Sequence, residues 1–174
     1  MGPHNSLENK RWNMTGQYSW KGILGGDGME VQIDNRNPNI VFTGSQFGFY
    51  VRLDLDTGRR KSIKPVHELG DSPFRFNWQT PILLSPHNQD VIYLGSNFLH
   101  KSSNQGDDWQ TISKDLTSGG KKGNVPYGTV TTISESPVKE GVLYTGSDDG
   151  LVYVSKNSGK TWKNISGNLP KELW

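Results

Sequence analysis

Three glycines, Gly44, Gly95 and Gly146, stand at a constant spacing of 51 residues. Each glycine ends a run of mainly apolar residues and is followed by serine. A fixed period near 50 residues indicates one supersecondary unit that is repeated along the chain. The spacing therefore constrains the architecture strongly, and it constrains the function much less.

The third unit shows what one repeat contains. Residues 129–133 form a β-branched run suited to an inner strand. Residues 136–141 carry a proline and a glycine, which favour a turn. Further strands are predicted at 142–145, 151–155 and 162–165. Four antiparallel strands in roughly 40 residues, followed by a long connection, are typical of one β-propeller blade.

The other two units follow the same pattern. Their strands are predicted at 29–33, 40–43, 49–55 and 61–63 in the first unit, and at 78–84, 91–94, 99–102 and 109–112 in the second. The sequence therefore predicts an all-β partial propeller with three four-stranded antiparallel blades of about 51 residues each.

The blades are predicted to span 25–64, 74–113 and 126–166. The segments between them are rich in Pro, Gly, Ser and Lys, which indicates loops between blades and not domain boundaries. Residues 1–24 are predicted to be an N-terminal arm or the remnant of a preceding blade, and residues 167–174 a C-terminal tail.

Composition excludes several classes of protein. Only 32% of the residues are hydrophobic and 21 are glycine, which favours short strands and turns over helices. The chain has no cysteine, so disulfides and thiolate metal sites are excluded. It has no apolar run of about 18 residues and no signal-peptide pattern, so no membrane insertion is predicted. The net charge of +2 is small, and the basic clusters at 59–61 and 121–122 are interpreted as solvated turns and not as a nucleic-acid surface.

Two hairpins share a motif of serine, asparagine, glycine and tryptophan at identical offsets. The motif residues are Ser102, Asn104, Gly106 and Trp109 in the second unit, and Ser155, Asn157, Gly159 and Trp162 in the third. The serine and asparagine side chains can bond turn amides, and the glycine can adopt a left-handed conformation. The tryptophan is predicted to pack its ring between sheets. These eight residues are therefore predicted to be structural.

The motif resembles the Asp-box, or bacterial neuraminidase repeat, Ser-x-Asp-x-Gly-x-Thr-Trp. Asparagine replaces the aspartate in both copies, which keeps an acceptor oxygen and loses the charge. The first unit has only a degenerate version at 54–58, without the tryptophan.

Further segments, 25–28, 75–81 with 85–86, and 146–151, are similar to secreted bacterial propellers described as glycosyl-hydrolase-like or sortilin (VPS10)-like. The resemblance covers residues from about 25 to 170. It implies a propeller fold, and a secreted or cell-surface location. It implies no particular activity, because Asp-boxes occur in sialidases, in xyloglucanase-type hydrolases and in non-enzymatic receptors.

No metal or cofactor site is predicted. Asp54 and Asp56 match part of a calcium loop, but the further ligands and the bidentate glutamate are missing. His67, His87 and His100 fall on different parts of different units, which disfavours a shared metal centre.

Blade topology predicts where a ligand would bind. The turn between the second and third strands and the loop between blades share one end of each blade. The polar and aromatic residues predicted to bind a ligand there are Asp27, Gln46, Arg75, Asn77, Trp78, Asn97, Tyr127 and Asp149. Carboxylates, amides and flat aromatic rings suit a sugar or another polar ligand. An ordinary turn is the alternative interpretation of residues 148–150.

The residues favour binding or assembly over catalysis. A sialidase needs three arginines on one carboxylate, and only Arg75 and Arg11 can reach the predicted face. Asp27 with Asp148 or Asp149 could supply the paired carboxylates of an inverting hydrolase. The predicted function is thus a binding or assembly segment of a secreted or cell-surface propeller, with part of a carbohydrate-active glycoside hydrolase as the alternative.

The partners follow from the blade count. Three blades do not close a propeller ring, so the predicted partners are further blades or a second copy of the chain. The ligand is predicted to be a glycan or a protein. A freestanding adaptor that oligomerises through its open ends is the third possibility.

Overall fold

The chain folds into three four-stranded antiparallel sheets in the computed structural model, which describes residues 22–27 and 30–169. The first sheet holds β1 (Val31–Ile33), β2 (Ile40–Ser45), β3 (Phe49–Asp54) and β4 (Arg60–Ser62). The second holds β5 (Ile82–Leu84), β6 (Ile92–Gly95), β7 (Leu99–Ser102) and β8 (Gln110–Thr111). The third holds β9 (Val130–Glu135), β10 (Leu143–Ser147), β11 (Val152–Ser155) and β12 (Lys163–Asn164). The strands lie in chain order in every sheet.

The predicted all-β class and the three four-stranded antiparallel units are confirmed. Apart from a single 3-10 turn at Ser166–Asn168, the described residues contain no helix, and so none that could cross a membrane. Residues 1–21 of the predicted N-terminal arm and residues 170–174 of the predicted tail lie outside the described residues, as do Gly28 and Met29.

The innermost strand of the second sheet is shorter than predicted, because the segment before it forms a turn. Asn77 Oδ1 accepts a hydrogen bond from the Gln79 N–H at 3.1 Å, and Thr80 Oγ1 donates to the Asn77 carbonyl at 2.9 Å. Pro81 follows and has no N–H to donate to a sheet. The strand therefore begins at Ile82 and not at residue 78.

The outermost strands also differ from the predicted bounds. Each ends directly before an isoleucine, Ile63, Ile112 or Ile165. The N–H of each isoleucine still donates to the neighbouring strand's carbonyl, at 3.0, 2.9 and 2.9 Å respectively. The outer edge of every sheet is thus completed in the same way.

The repeated glycines allow close packing. A Cβ at Gly95 would lie 2.9 Å from side-chain atoms of Pro81 and Val130, and one at Gly44 would lie 2.6 Å from the Tyr50 ring. Real Cβ atoms do not approach so closely, so any side chain here would displace its neighbours. The repeated glycines therefore avoid crowding within and between sheets, and none of the three has a positive φ.

The hydrophobic core lies between successive sheets. One cluster joins Phe42 and Tyr50 of the first sheet to Ile92 and Leu94 of the second. The other joins the second sheet to the third, with Tyr93 and Leu143 among its buried members. Ile92 and Tyr93 are adjacent in β6 and point to opposite faces, so the middle sheet is buried on both sides.

The two motif hairpins have matching hydrogen bonds. The hydroxyls of Ser102 and Ser155 accept from the N–H groups of Gly106 and Gly159, at 2.8 and 2.9 Å. Both glycines have a φ of 86°, a left-handed conformation that glycine adopts at no steric cost. The Asn104 side-chain oxygen accepts the backbone N–H four residues later, at 2.9 Å, and its counterpart in the third sheet does the same.

Each motif glycine also packs against the preceding sheet. A Cβ at Gly106 would lie 2.7 Å from Ile63, and one at Gly159 would lie 2.8 Å from Ile112. The hairpin of one sheet therefore rests on the isoleucine that ends the sheet before it. We call the end of the molecule with these hairpins and the β1–β2, β5–β6 and β9–β10 turns the hairpin end. The opposite end, with the β2–β3, β6–β7 and β10–β11 turns and the linkers between sheets, is the linker end.

Candidate functional site

Arg75 and Asn97 come together at the linker end and hold the linker after the second sheet. The Asn97 side chain accepts from the Arg75 N–H at 3.0 Å and donates to Asp115 at 2.9 Å. The Arg75 guanidinium donates to Asp115 at 2.8 Å, to Thr117 at 3.0 Å and to the Gly128 carbonyl at 3.1 Å. Most donors of Arg75 are therefore used inside the molecule.

Asn77 and Asp148 meet although they are 71 residues apart. The Asn77 amide donates to Thr129 Oγ1 at 2.9 Å and lies 3.5 Å from Asp148 Oδ2. Asp148 accepts from the N–H groups of Gly128 and Thr129, both at 2.9 Å, and from the Thr129 hydroxyl at 2.7 Å. Asp148 thus fixes the start of β9 against the turn between β10 and β11.

Asp149 is engaged in a similar way. Its carboxylate accepts from the N–H and the hydroxyl of Ser118, at 2.6 and 2.7 Å, and from the Ser147 hydroxyl. Partial burial alone would raise the pKa of this carboxyl, but the hydrogen bonds from Ser147 and Ser118 outweigh burial and lower the pKa. Asp149 is therefore an ionised anchor for the linker at neutral pH.

The pKa of Asp115 is also lowered. Burial again acts to raise the pKa of this carboxyl, but hydrogen bonds from Thr117, Asn97 and Arg75 lower the pKa by more. Arg75 and Asp115 form an ion pair at 2.8 Å. The polar residues at this junction thus satisfy one another's hydrogen-bonding groups.

Trp78 is the more accessible of the two aromatic residues that are predicted to bind a ligand. Its side chain is 42% exposed and its ring meets Phe47 edge-to-face, with centroids 5.2 Å apart. The Trp78 carbonyl accepts from the Phe47 N–H at 3.2 Å, which fixes the backbone beneath the ring. Next to Phe47, the Gln46 side chain accepts from the Asp27 N–H at 3.2 Å.

Tyr127 is half-buried and lies apart from this group. The Lys121 ammonium stands over its ring at 4.4 Å from the centroid, a cation–π contact. The residues predicted to bind a ligand therefore fall into three groups. The first is a polar junction around Arg75 and Asp148, and the second is Trp78 on Phe47, with Gln46, which precedes Phe47 in the chain, and its hydrogen-bond partner Asp27. Tyr127, under Lys121, is the third. No side-chain hydrogen bond among the described residues joins Asp27 to Asp148 or Asp149.

The sequence reasoning missed five residues of the polar junction: Asp115, Thr117, Ser118, Gly128 and Thr129. A local signal was present, because Asp115-Leu116-Thr117 places two capping side chains around one apolar residue. Asp115 caps the Thr117 N–H at 3.0 Å while Leu116 is 1% exposed. A buried leucine between two capping residues indicates an ordered linker.

Three solved structures are similar to this chain. One is of an ancestral GH74 enzyme, at 15% identity and a TM-score of 0.54, matched over 78% of this chain and 18% of that one. Another is of YCF48 bound to D1 peptide, at 14% identity and a TM-score of 0.50, matched over 81% of this chain and 45% of that one. A third is of YCF48 from Cyanidioschyzon merolae, at 15% identity and a TM-score of 0.49, matched over 78% of this chain and 35% of that one. No protein-family model matches the sequence, and no curated protein does.

These similarities show the fold. The first two structures are β-propellers, and the three sheets described here are therefore blades of a partial β-propeller. The chain spans less than half the length of each of the three structures. At 14–15% identity, the likeness does not extend to an activity.

The described residues hold no group of three or more histidine, aspartate or glutamate side chains arranged to bind a metal ion. Two described histidines lie at the linker end. His67 is in the linker between the first and second sheets, with its ring centroid 6.1 Å from that of Phe74, and His100 is fully buried against Ser96 and Phe74. What this end offers is an exposed indole beside a rigid polar junction.

Proposed function

We propose that this chain is a binding and assembly segment of a β-propeller, in which further blades cover its two outer sheets. The supporting observation is the unequal burial of one repeat position. Phe42, Tyr93 and Tyr144 lie 51 residues apart, at matching places in the second strand of each blade. Phe42 and Tyr93 are 0% and 2% exposed, whereas Tyr144 is 42% exposed. Tyr144 occupies a position that the next blade covers in the other two repeats.

The first blade also exposes apolar side chains on its other face, at the inner strand and at the start of β3, while Val41 and Thr43 on the same face are 0% and 1% exposed. Val31, Ile33 and Phe49 are 46%, 39% and 59% exposed. Strand register places Val31 opposite Thr43 and Ile33 opposite Val41, on the face of the sheet away from Phe42. Apolar surface left at both ends of a stack of repeats is what neighbouring repeats normally cover.

Self-association tests this part of the proposal. We expect the purified chain to form a dimer or larger species through these faces, because closed symmetry covers them all. Multi-angle light scattering over a range of concentrations measures the mass. Tyr144→Glu is expected to shift the chain to monomer, since it places a charge on the open face. Val138→Glu, at a turn position that is 91% exposed, is the matched control and should leave the mass unchanged. A wild-type chain that is monomeric at every concentration would refute association.

We also propose that the linker end binds a ligand at Trp78. An exposed indole held by an edge-to-face contact to Phe47 is a rigid platform on which a sugar ring can stack. Gln46 precedes Phe47 in the chain and accepts from the Asp27 N–H, so these two residues offer polar partners at the loop that holds Phe47. A glycan is the favoured ligand, and a peptide is the alternative, as one structurally similar protein is bound to a peptide.

Trp78→Ala tests the ligand site. A glycan array identifies the glycan that binds the wild-type chain best, and calorimetry then compares its affinity for wild type and variant. We expect at least a tenfold loss, which corresponds to about 1.4 kcal/mol. Val138→Ala, at the hairpin end, is the control and should bind as wild type does. Affinity that survives unchanged in Trp78→Ala would place the site elsewhere.

A role as part of a glycoside hydrolase is less well supported by the carboxylates at the linker end than a role in binding. Asp148 accepts three hydrogen bonds from Gly128 and Thr129, and Asp149 accepts three from Ser118 and Ser147. A general acid needs a raised pKa, and that of Asp149 is lowered. The secreted or cell-surface location remains part of the proposal and is supported only by the Asp-box resemblance.

A further inference from the structure

Two clefts at the outer rim of the molecule have the same origin in the repeat. Each lies between the outer strands of one blade and the motif hairpin of the next. The cleft between the first and second blades has a volume of about 840 Å³, and the cleft between the second and third has a volume of about 670 Å³. Both volumes are in the range of small-ligand sites.

An ion pair spans the first cleft. Asp107, in the hairpin of the second blade, lies 2.9 Å from the Arg52 guanidinium and 2.7 Å from the Lys61 ammonium of the first blade. Arg52 also donates to the Gln105 carbonyl at 3.1 Å. At Arg52, Lys61 and Asp107 the facing walls of this cleft therefore carry opposite charges, and Asp107 is paired with both cations.

The equivalent positions in the second cleft carry like charges. Strand register pairs Arg52 with Phe42 and Lys101 with Tyr93, so Lys101 takes the place of Arg52. Asp107 and Lys160 both stand directly after the motif glycine, so Lys160 takes the place of Asp107. A cation thus stands on each wall, where the first cleft has a cation facing an anion.

A third lysine adds to this charge. Lys114 lines the second cleft with Lys101 and Lys160, and no carboxylate lines it. Within the part of the chain that the structure describes, none of these three ammonium groups has a carboxylate oxygen within 4.0 Å. Lysines concentrated in one cleft without counter-charges attract an anionic ligand.

The rest of the lining is suited to a sugar. Gln110 and Thr161 line the cleft with an amide and a hydroxyl, and the partly buried Trp162 contributes an aromatic surface. A cleft of about 670 Å³ is far larger than one inorganic anion requires. We infer that the cleft between the second and third blades binds a sulfated oligosaccharide, with Lys101, Lys114 and Lys160 contacting its sulfate groups. This site is at the rim and is independent of Trp78.

Lys160→Asp is the sharpest test, because it rebuilds in the second cleft the charge pair that the first cleft already has. The probe is a fully sulfated heparin-type tetrasaccharide, with its desulfated counterpart as the matched ligand. We expect calorimetry to show binding of the sulfated probe only, weakening as sodium chloride is added. Lys160→Asp should lower the affinity at least tenfold, and Lys139→Asp, an exposed position in the β9–β10 turn, should leave it unchanged.

A thermal melt checks that Lys160→Asp is folded. If it is not, Lys114→Gln is used in its place, with an expected loss of at least threefold in affinity for the sulfated probe. Unchanged affinity in the folded cleft variants overturns the proposal, and so does a wild-type chain that does not bind the sulfated probe. Inorganic sulfate or a phosphopeptide that binds as tightly as the tetrasaccharide would overturn the assignment to a sulfated sugar.

Discussion

Replacing Trp162 with alanine is expected to lower the free energy of unfolding by about 3 kcal/mol, the lower end of the range for a large aromatic residue in a core. The indole is partly buried and packs against the cluster between the second and third blades. Its Nε1 also donates to the Ile112 carbonyl of the preceding blade at 2.9 Å and to the Gly159 carbonyl at 3.1 Å. The change therefore removes both packing and a hydrogen bond across the blade junction. Urea unfolding followed by circular dichroism measures it.

Trp109 provides the internal comparison. It packs against the cluster between the first two blades, but its Nε1 is buried with no hydrogen-bond partner among the described residues. Phenylalanine keeps a six-membered aromatic ring at both positions and removes the N–H together with the same part of the indole's bulk. We therefore expect Trp162→Phe to cost about 1–2 kcal/mol more than Trp109→Phe. Equal losses for the two phenylalanine variants would contradict the role given to the Trp162 hydrogen bond.

Stability is expected to fall by about 3 kcal/mol as the pH is lowered from about 6.5 to about 4, because of His100. This side chain is 0% exposed, and burial lowers its pKa from 6.5 to about 4. Its ring nitrogens lie 2.7 Å from Ser96 Oγ and 3.1 Å from Thr111 Oγ1, so both are occupied by neutral groups. In this pH window the unfolded chain binds a proton that the folded chain does not, and acid therefore favours unfolding.

The measurement is the free energy of unfolding at several pH values between 4 and 7. His100→Gln is expected to lose the slope in this window, although it will be less stable at neutral pH. His87→Gln, at an exposed histidine, is the control and should keep the slope. Carboxyls with lowered pKa values, such as Asp34, add their own loss only at more acidic pH. A free energy of unfolding that stays constant in the wild-type chain from pH 6.5 to 4 would contradict the predicted effect of His100.

The repeat was predictable because it rests on local patterns. Alternating apolar residues and turn residues are visible within one unit, and the glycine spacing becomes visible when the units are compared. The shortening of the second inner strand was less visible, because it depends on Asn77 and Thr80 capping a turn before Pro81. Strand ends are decided by such competition between side-chain and sheet hydrogen bonds.

The polar junction at the linker end could not be predicted in full, because its contacts join distant parts of the sequence. Asn77 and Asp148 are 71 residues apart, and Arg75 and Asp115 are 40 apart. The sequence placed Arg75, Asn77, Asn97 and Asp148 at one end of the blades by topology alone. It did not show that these groups would satisfy one another, which leaves Trp78 as the exposed aromatic residue of the predicted face.

Each motif glycine contacts the isoleucine that ends the preceding blade, so successive blades are joined in the same head-to-tail manner. The second and third blades each offer a glycine towards the N-terminus and an isoleucine, Ile112 or Ile165, towards the C-terminus. A blade that carries both the glycine and the isoleucine can be duplicated in frame. The new copy then has an isoleucine of the preceding blade for its glycine, and its own isoleucine meets the glycine of the following blade. Repeat proteins gain and lose whole units when their stability depends on such nearest-neighbour contacts. The number of blades in a propeller built from these units can therefore change by gene duplication without redesign of the blade itself.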